Sequence, residues 1–166
     1  MNFCRLRSLA NESDGFIERI EAHFGQWGFG LCAAELAGNH SFIGYIGLAV
    51  SNFTADFTPC VEIGWRLCSE HWGQGFATEG AREVVRFAFT ALGLDSLLSF
   101  TVPANARSRR VMETIGMSYD PAEEFDHPNL PQGHALRHHV LYRLRKADWQ
   151  SAVHLAVGRQ SGKRFT

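Results

Sequence analysis

No apolar run in the sequence reaches the roughly 20 residues that span a bilayer. The longest, around Phe42 to Val50, is interrupted by Gly44 and Tyr45, so a membrane-spanning helix is excluded and a soluble chain is expected. The first ten residues carry two arginines but neither an apolar segment nor a small-residue cleavage site. Nothing in them directs secretion, and the cytoplasm is the expected compartment. Cysteine is sparse: Cys4, Cys32, Cys60 and Cys68 form no CxxC pair, which in a reducing compartment predicts thiols rather than a disulfide framework. Neither sign of charge prevails, with 16 Lys+Arg against 17 Asp+Glu and a formal charge of -1. A field that would draw in nucleic acid or an anionic membrane is therefore missing. Repeats, low-complexity runs and Pro/Ser linkers are absent as well. What remains is a chain of 166 residues with 45% apolar side chains, enough for one domain with a real core. That domain is expected over residues 1–146, followed by a patternless tail, 147–166, that is partly helical or frayed.

Strand-like and helix-like periods alternate along the chain, which predicts a mixed α/β fold. A first helix capped at Asn11 or Ser13 would bury Phe16, Ile17, Ile20 and Phe24 and end near Gly25 to Gly28. Leu31 to Ala37 and Phe42 to Val50 flank the turn Gly38-Asn39 and read as antiparallel partners. In a third strand, Cys60 to Leu67, alternation puts Val61, Ile63, Trp65 and Leu67 on one face. The other face, with Glu62, Gly64 and Arg66, is unusually polar. The strongest helix carries Ala77, Ala81, Val84, Val85, Ala88 and Leu92 at helical spacing and stops at Gly93. A buried strand, Leu97 to Val102, is broken by Pro103. A short helix, Ala106 to Ile115, then buries Val111, Met112 and Ile115 with its arginines outward. Two strands remain, a brief one at Met117 to Tyr119 and a clearer one at His139 to Leu144. The loop between them, with Pro121, Pro128, Pro131 and Gly133, is either a substrate or partner loop or a plain surface excursion.

The informative unit is the polar-faced strand followed by Trp72-Gly73-Gln74-Gly75-Phe76-Ala77-Thr78 and then the long helix. The first turn of a helix has unpaired N–H donors and the positive end of the macrodipole, and glycines let a phosphate approach the backbone. Two glycines also make an ordinary strand-to-helix turn. A Walker loop would need GxxxxGK[ST] and a dinucleotide fingerprint GxGxxG; neither is present, which leaves a nucleotide-binding domain with little support.

Over about Ser13 to Leu144 the sequence resembles the GCN5-related N-acetyltransferase (GNAT) superfamily, in the branch of ribosomal-protein alanine and serine N-terminal acetyltransferase-like proteins. The residues that carry the resemblance are Val61-Glu62-Ile63-Gly64-Trp65-Arg66-Leu67, the turn Trp72 to Glu79, Asn105-Ala106-Arg107-Ser108-Arg109-Arg110-Val111-Met112-Glu113 and Gly116-Met117. Phe125-Asp126-His127-Pro128 and His139-Val140-Leu141-Tyr142 look like one subgroup of that branch. The resemblance implies a mostly antiparallel central sheet, flanked by helices and splayed at an acetyl-CoA site, where the cofactor arm adds like a strand. It implies that Trp72, Gly73, Gln74, Gly75, Phe76, Ala77 and Thr78 bind the pyrophosphate. It also implies that Trp65, Arg66 and Leu67 bond the pantetheine arm through their backbone, and that Asn105 contacts the cofactor or the reacting region. Asn105 serves equally as a helix cap. The family pattern has Arg or Gln at Trp72, so phosphate contacts there fall to backbone groups.

The implied reaction is direct attack of a neutral amine on the acetyl carbonyl. Glu62, on the polar face, is the candidate base, or else the partner of Arg66 in an ion pair. Many relatives place a tyrosine acid where Met112 stands here. In the branch resembled, a serine of the Asn-x-x-Ser pattern lies near the sulfur, which makes Ser108 the candidate acid; its alternative is an ordinary polar residue early in a helix. His127 and Tyr45 are candidates for the acceptor pocket, with Trp27 and Phe29, although such aromatics are also core formers. Arg107, Arg109 and Arg110 either hold the 3′-phosphate or are solvated. His134, His138 and His139 lack the carboxylate or thiol company of a metal site, and no metal is expected. The acceptor is an amine, of a peptide or protein N-terminus or of a small molecule. The alternative is a catalytically weak acyl-CoA-binding or scaffold module. Relatives begin with a strand and a helix before the segment matching Asn11 onward, where this chain has only ten residues. The expectation is a fold lacking that first strand and helix, with an unpaired edge at Leu31 to Ala37 that favours a homodimer.

Overall fold

The structure, a computed structural model, describes residues 10–161. The chain divides into two compact units, Met1–Arg86 and Phe87–Thr166. The expectations for the residues before Ala10 lie outside the described residues.

In the first unit, helix α1 (Ala10–Trp27) is followed by strands β1 (Leu31–Glu35), β2 (Phe42–Ser51) and β3 (Cys60–Leu67), a 3-10 turn at Ser69–His71 and the start of helix α2 (Phe76–Thr90). The three strands are antiparallel neighbours in sequence order. Cross-strand partners share a face. The pairs Ala49↔Glu62, Gly47↔Gly64 and Tyr45↔Arg66 therefore form the polar face, and Leu48↔Ile63 and Ile46↔Trp65 the apolar one. Ile43, Ile46 and Leu67 are buried on that apolar side, with Phe76, Ala77 and Val84 of α2 packed on them. The helix comes in close because position 80 has no side chain: a Cβ on Gly80 would lie 2.5 Å from Ile46 Cδ1.

Two expectations for this unit are corrected. Helix α1 ends where the pattern predicts but begins at Ala10, so Asn11 and Ser13 lie within it and do not precede it as caps; of its apolar stripe only Phe16 and Ile20 are half-buried, while Ile17 is 52% and Phe24 38% exposed. Its hold on the sheet comes from Phe16, whose ring lies 5.2 Å from that of Tyr45, and from His23. The His23 ring bridges the Phe29 carbonyl (2.7 Å) and the Val50 N–H (2.9 Å). Nε2 accepts from Val50, so Nδ1 carries the proton that goes to Phe29. In the β1–β2 turn the positive φ falls on His40 (54°), not on Gly38 or Asn39, because the Asn39 side chain accepts the Ser41 N–H and sets the turn itself.

The second unit begins inside α2, whose end is tied by Leu94 N–H to the Ala88 carbonyl with Gly93 at φ 69°, the geometry that glycine permits after a last helical turn. Strand β4 (Ser96–Thr101), helix α3 (Ala106–Thr114), the short strands β5 (Ser118–Tyr119) and β6 (Phe125–Asp126), strand β7 (His138–Arg145) and helix α4 (Lys146–Ser161) follow. β4, β5 and β6 each pair antiparallel with β7. Leu97, Leu98, Met112, Val140, Leu141, Tyr142 and Leu144 are buried. The Pro-rich loop is more ordered than its composition suggests, since β6 adds to the start of β7. The expected tail is helix α4, anchored by Trp149 against Phe89 at 5.4 Å. Its other large apolar residues, Val153 and Leu155, are exposed, so its sequence carries no amphipathic stripe to read. The class is mixed α/β with antiparallel pairing and flanking helices, as expected.

Cys32 and Cys60 are thiols outside any disulfide. Cys68 is disulfide-bonded, contrary to the thiol expectation; bonding depends on which β-carbons meet in space, and linear spacing does not encode that. Cys4 lies outside the described residues.

Gly44 combines φ 142° with a Cβ position 2.2 Å from the Arg66 carbonyl oxygen. Gly44→Ala is expected to lower the unfolding free energy by about 3 kcal/mol or more. Gly25→Ala, with nothing within 4 Å of its Cβ position, should leave stability equal or raised by about 0.5 kcal/mol. Urea titration of the two variants checks the contrast.

Candidate active site

The turn after β3 is shaped by backbone conformation. Gly73 has φ 75° and Gly75 φ 89°, and at neither does any atom lie within 4 Å of where a Cβ would be. The first helical bond of α2 runs from Glu79 N–H to the Gly75 carbonyl at 2.9 Å. The N–H groups of Phe76, Ala77 and Thr78 thus precede the ladder and belong to the helix's unpaired first turn. Side chains brace the turn from behind: the Trp72 indole donates to the Leu67 carbonyl at 2.9 Å and the Gln74 amide to the Glu70 carbonyl at 2.9 Å. Trp72 therefore stabilises the turn in place of the family's Arg or Gln, and it uses the carbonyl of Leu67, one of the expected backbone groups on β3.

Glu62 is half-buried on the polar face of β3. Ser51 of β2 donates a hydrogen bond to its carboxylate at 2.9 Å. Burial raises the Glu62 pKa to about 7, against the lowering effect of the Ser51 bond. The expected alternative, pairing with Arg66, gives way to this hydroxyl. Arg66 instead lies opposite Tyr45, where its charge opposes the rise that burial imposes on the Tyr45 phenol. Gly64, two residues along the same face, has no atom within 4 Å of its Cβ position and leaves that side of the carboxylate open, whereas at Gly47 the Gly30 carbonyl oxygen lies 2.2 Å from where a Cβ would be. Ser51 was not legible in the sequence, because only the register Ser51↔Cys60 brings it to β3.

In the second unit Asn105 caps α3 and organises its surroundings. Its Oδ1 accepts the Ser108 N–H at 3.2 Å, while its Nδ2 donates to Thr101 Oγ1 and Ser108 Oγ, both at 3.0 Å. Ser108 Oγ is an acceptor in that bond, so its own proton remains for donation elsewhere. Met112, where relatives carry the tyrosine, is 2% exposed and part of the core.

The arginines separate. Arg107 and Arg110 are exposed, but Arg109, expected to point outward, turns back. Its Nε donates to the Tyr142 hydroxyl at 3.2 Å, and that hydroxyl donates to Glu113 at 2.9 Å. A buried tyrosine at 1% exposure needs such partners.

His127 is half-buried within a ring cluster containing Phe100, Phe125 and His139. Burial, and then the neighbouring His139, lower its pKa. The other histidines have separate partners. His134 accepts the Leu136 N–H, and His138 lies 2.8 Å from Glu124 and 3.5 Å from Asp126. Phe29 is core, at 8% exposure, and Trp27 is exposed at 46%.

A carboxyl whose pKa is raised by burial favours the folded state below its unfolded value and loses that contribution as pH climbs through about 7. Glu62→Gln removes the ionisation. Its stability should match the parent's near pH 4 and exceed it at pH 8, as thermal unfolding at the two pH values will reveal. Asn105→Ala should cost about 1 kcal/mol through the lost cap.

Comparison with known proteins fits this geometry. The model of the acetyltransferase (GNAT) domain matches residues 6–118, more than half of the chain. A fungal relative, the FsC-acetyl coenzyme A-N(2)-transacetylase of Aspergillus fumigatus, is 35% identical over 96 residues, covering 55% of this chain and 39% of that protein. The chain spans about half or less of the length of the first curated relatives it matches. An acetyltransferase structure from Agrobacterium tumefaciens is 28% identical with a TM-score of 0.62, covering 81% of this chain and 71% of that one. Likeness of fold extends to the ribosomal-protein-S5-alanine acetyltransferase of Vibrio fischeri, at 21% identity, TM-score 0.63, and coverage of 82% and 71%, a protein of the branch the sequence resembles. With the family model matched from the first helix through α3 and the glycine turn, the cap and the antiparallel strands in place, this chain belongs to the GNAT acetyltransferase family.

Proposed function

We propose that the chain is an acetyl-CoA-dependent N-acetyltransferase whose acceptor is a primary amine, the α-amine of a peptide or protein in preference to a small molecule. The observation that carries this reading is the open turn at Gly73 and Gly75, both at positive φ and both without neighbours at the Cβ position, leading into the unpaired first turn of α2. Such a cradle offers backbone donors and room to a pyrophosphate. The name of the fungal relative includes acetyl coenzyme A, and family membership supports the same cofactor. Phe76, Ala77 and Thr78 would bind the diphosphate through N–H groups, Trp65 and Arg66 the pantetheine amides through their backbone, and Arg107 and Arg110 are the exposed cations suited to the 3′-phosphate.

In the proposed reaction the neutral amine attacks the acetyl carbonyl and forms a C–N bond. Glu62, directly or through water, takes the proton that the new ammonium releases. The C–S bond then breaks, and the Ser108 hydroxyl donates to the departing thiolate. A carboxylate with a pKa near 7 is matched to this task, because a base works best when its pKa lies near the operating pH. Among the described residues β1 pairs only with β2, and an edge strand of that kind supports a homodimer as the assembled form. A cofactor-binding module of low activity is the second reading, favoured by the burial of Met112 where relatives have an acid.

Calorimetric titration with CoA should give saturable binding to the parent and none to Gly75→Asp, which puts a carboxylate in the cradle; equal affinity would remove the turn from the site. Thiol release from acetyl-CoA over a panel of peptides and amines should depend on the amine, and tight CoA binding without such release selects the module. Ser108→Ala should lower kcat at least tenfold with CoA affinity kept. In the parent kcat/KM should rise through pH about 7 as Glu62 ionises, and in Glu62→Gln that limb should disappear.

A further inference from the structure

The ring cluster at the end of β4 contains an acceptor atom that no part of the fold uses. The β4–β7 ladder ends at Thr101↔Val140, so His139 lies one residue past the last pair, and β6 pairs Phe125 with it. The His139 ring is 6.1 Å from Phe100, 5.6 Å from Phe125 and 5.3 Å from His127. Its Nδ1 is 3.0 Å from the Arg137 carbonyl. A carbonyl can only accept, so Nδ1 carries the proton and Nε2 of the neutral ring keeps a lone pair. Among the described residues no buried side-chain nitrogen or oxygen lacks a partner. His139 Nε2 has no hydrogen-bond partner of its own, so it opens onto accessible space.

The surroundings define what could donate to it. Two phenyl rings and a second imidazole make the walls. The nearby carboxylates are engaged: Asp126 by Arg137 at 3.1 Å, and Glu124 by His138 at 2.8 Å. A polycationic amine meets there carboxylate oxygens already taken by Arg137 and His138 and ring walls that carry no anion of their own. An uncharged N–H flanked by apolar groups suits both the lone pair and the walls.

We propose that His139 is a substrate-positioning residue whose Nε2 accepts a backbone N–H of a peptide acceptor, so that this face selects peptides over polyamines. The proposal rests on the acetyltransferase reading for its kinetic test but not for its binding test. In kinetics, His139→Phe should raise KM about tenfold, the loss of one hydrogen bond, for a tetrapeptide with a free N-terminal alanine. kcat should change little, and KM for acetyl-CoA and for spermidine not at all. His139→Gln, whose side-chain oxygen can accept, should recover part of the loss. An unchanged peptide KM in a folded His139→Phe protein, or an equal rise for spermidine, overturns the proposal. In binding, nitrogen-15 spectra of the parent should show the Nδ1–H tautomer at His139 and a shift of its Nε2 resonance on adding the tetrapeptide, with none on adding spermidine. If that shift occurs while no amine is acetylated, the peptide site stands and the catalytic reading falls. If acetylation proceeds and the resonance does not move, the peptide site falls alone.

Discussion

The close seating of α2 on β2 is the constraint from which the rest of the first unit follows. A Cβ at position 80 would lie 2.5 Å from Ile46 Cδ1, the movable end of that side chain, and the glycine there lets the helix pack on the apolar face of the sheet without displacing it. That seating fixes where the helix begins relative to the end of β3, and the intervening residues must turn sharply through two positive-φ positions to connect them. The same conformations that satisfy chain geometry leave the first helical N–H groups uncovered. Helix formation leaves those donors without partners, and they are the groups the proposed diphosphate site would use, while the side chains of Trp72 and Gln74 brace the turn.

A second constraint acts on the opposite face of the sheet. A carboxyl in a half-buried strand position is disfavoured in its charged form, and one hydroxyl, Ser51, offsets only part of that penalty. A well-paired Glu62 would have a low pKa and serve poorly as a base at neutral pH; an unpaired one in water would do the same. Burial with a single neutral donor holds the group near neutrality, a local loss of stability that suits proton transfer. Gly64 contributes by absence, since a side chain there would occupy the open space on the carboxylate's face, while Gly47 lets the Gly30 backbone come close.

In the second unit polar groups are partnered so that selected atoms stay available. Asn105 uses its amide to cap α3 and to hold Thr101 and Ser108, and because it donates to Ser108 the serine proton remains uncommitted. Arg109 and Glu113 satisfy the buried Tyr142 hydroxyl. His139 is fixed by one backbone carbonyl and presents its other nitrogen. The cap and the candidate acid are parts of one hydrogen-bonded group.

Much of this was already encoded in local pattern. Alternation defined β3 and its polar face, periodicity defined α2, and the glycines after α1, α2 and α3 marked their ends, because these depend on the geometry of a few adjacent residues. The family motifs lie in those same segments, so the glycine turn, Glu62, Asn105 and Ser108 could be nominated from sequence as candidates for the site. The tertiary structure decided what depends on residues far apart in the chain. It brought Ser51 rather than Arg66 to Glu62 through strand register, turned Arg109 inward to Tyr142, left Ile17 and Phe24 of α1 exposed, and gave Cys68 a disulfide. It also folded Lys146–Ser161, which carry no amphipathic period, into a helix held by Trp149 on Phe89. Linear order specifies which groups each element presents; the partners they meet are set by packing between elements, which no local period records.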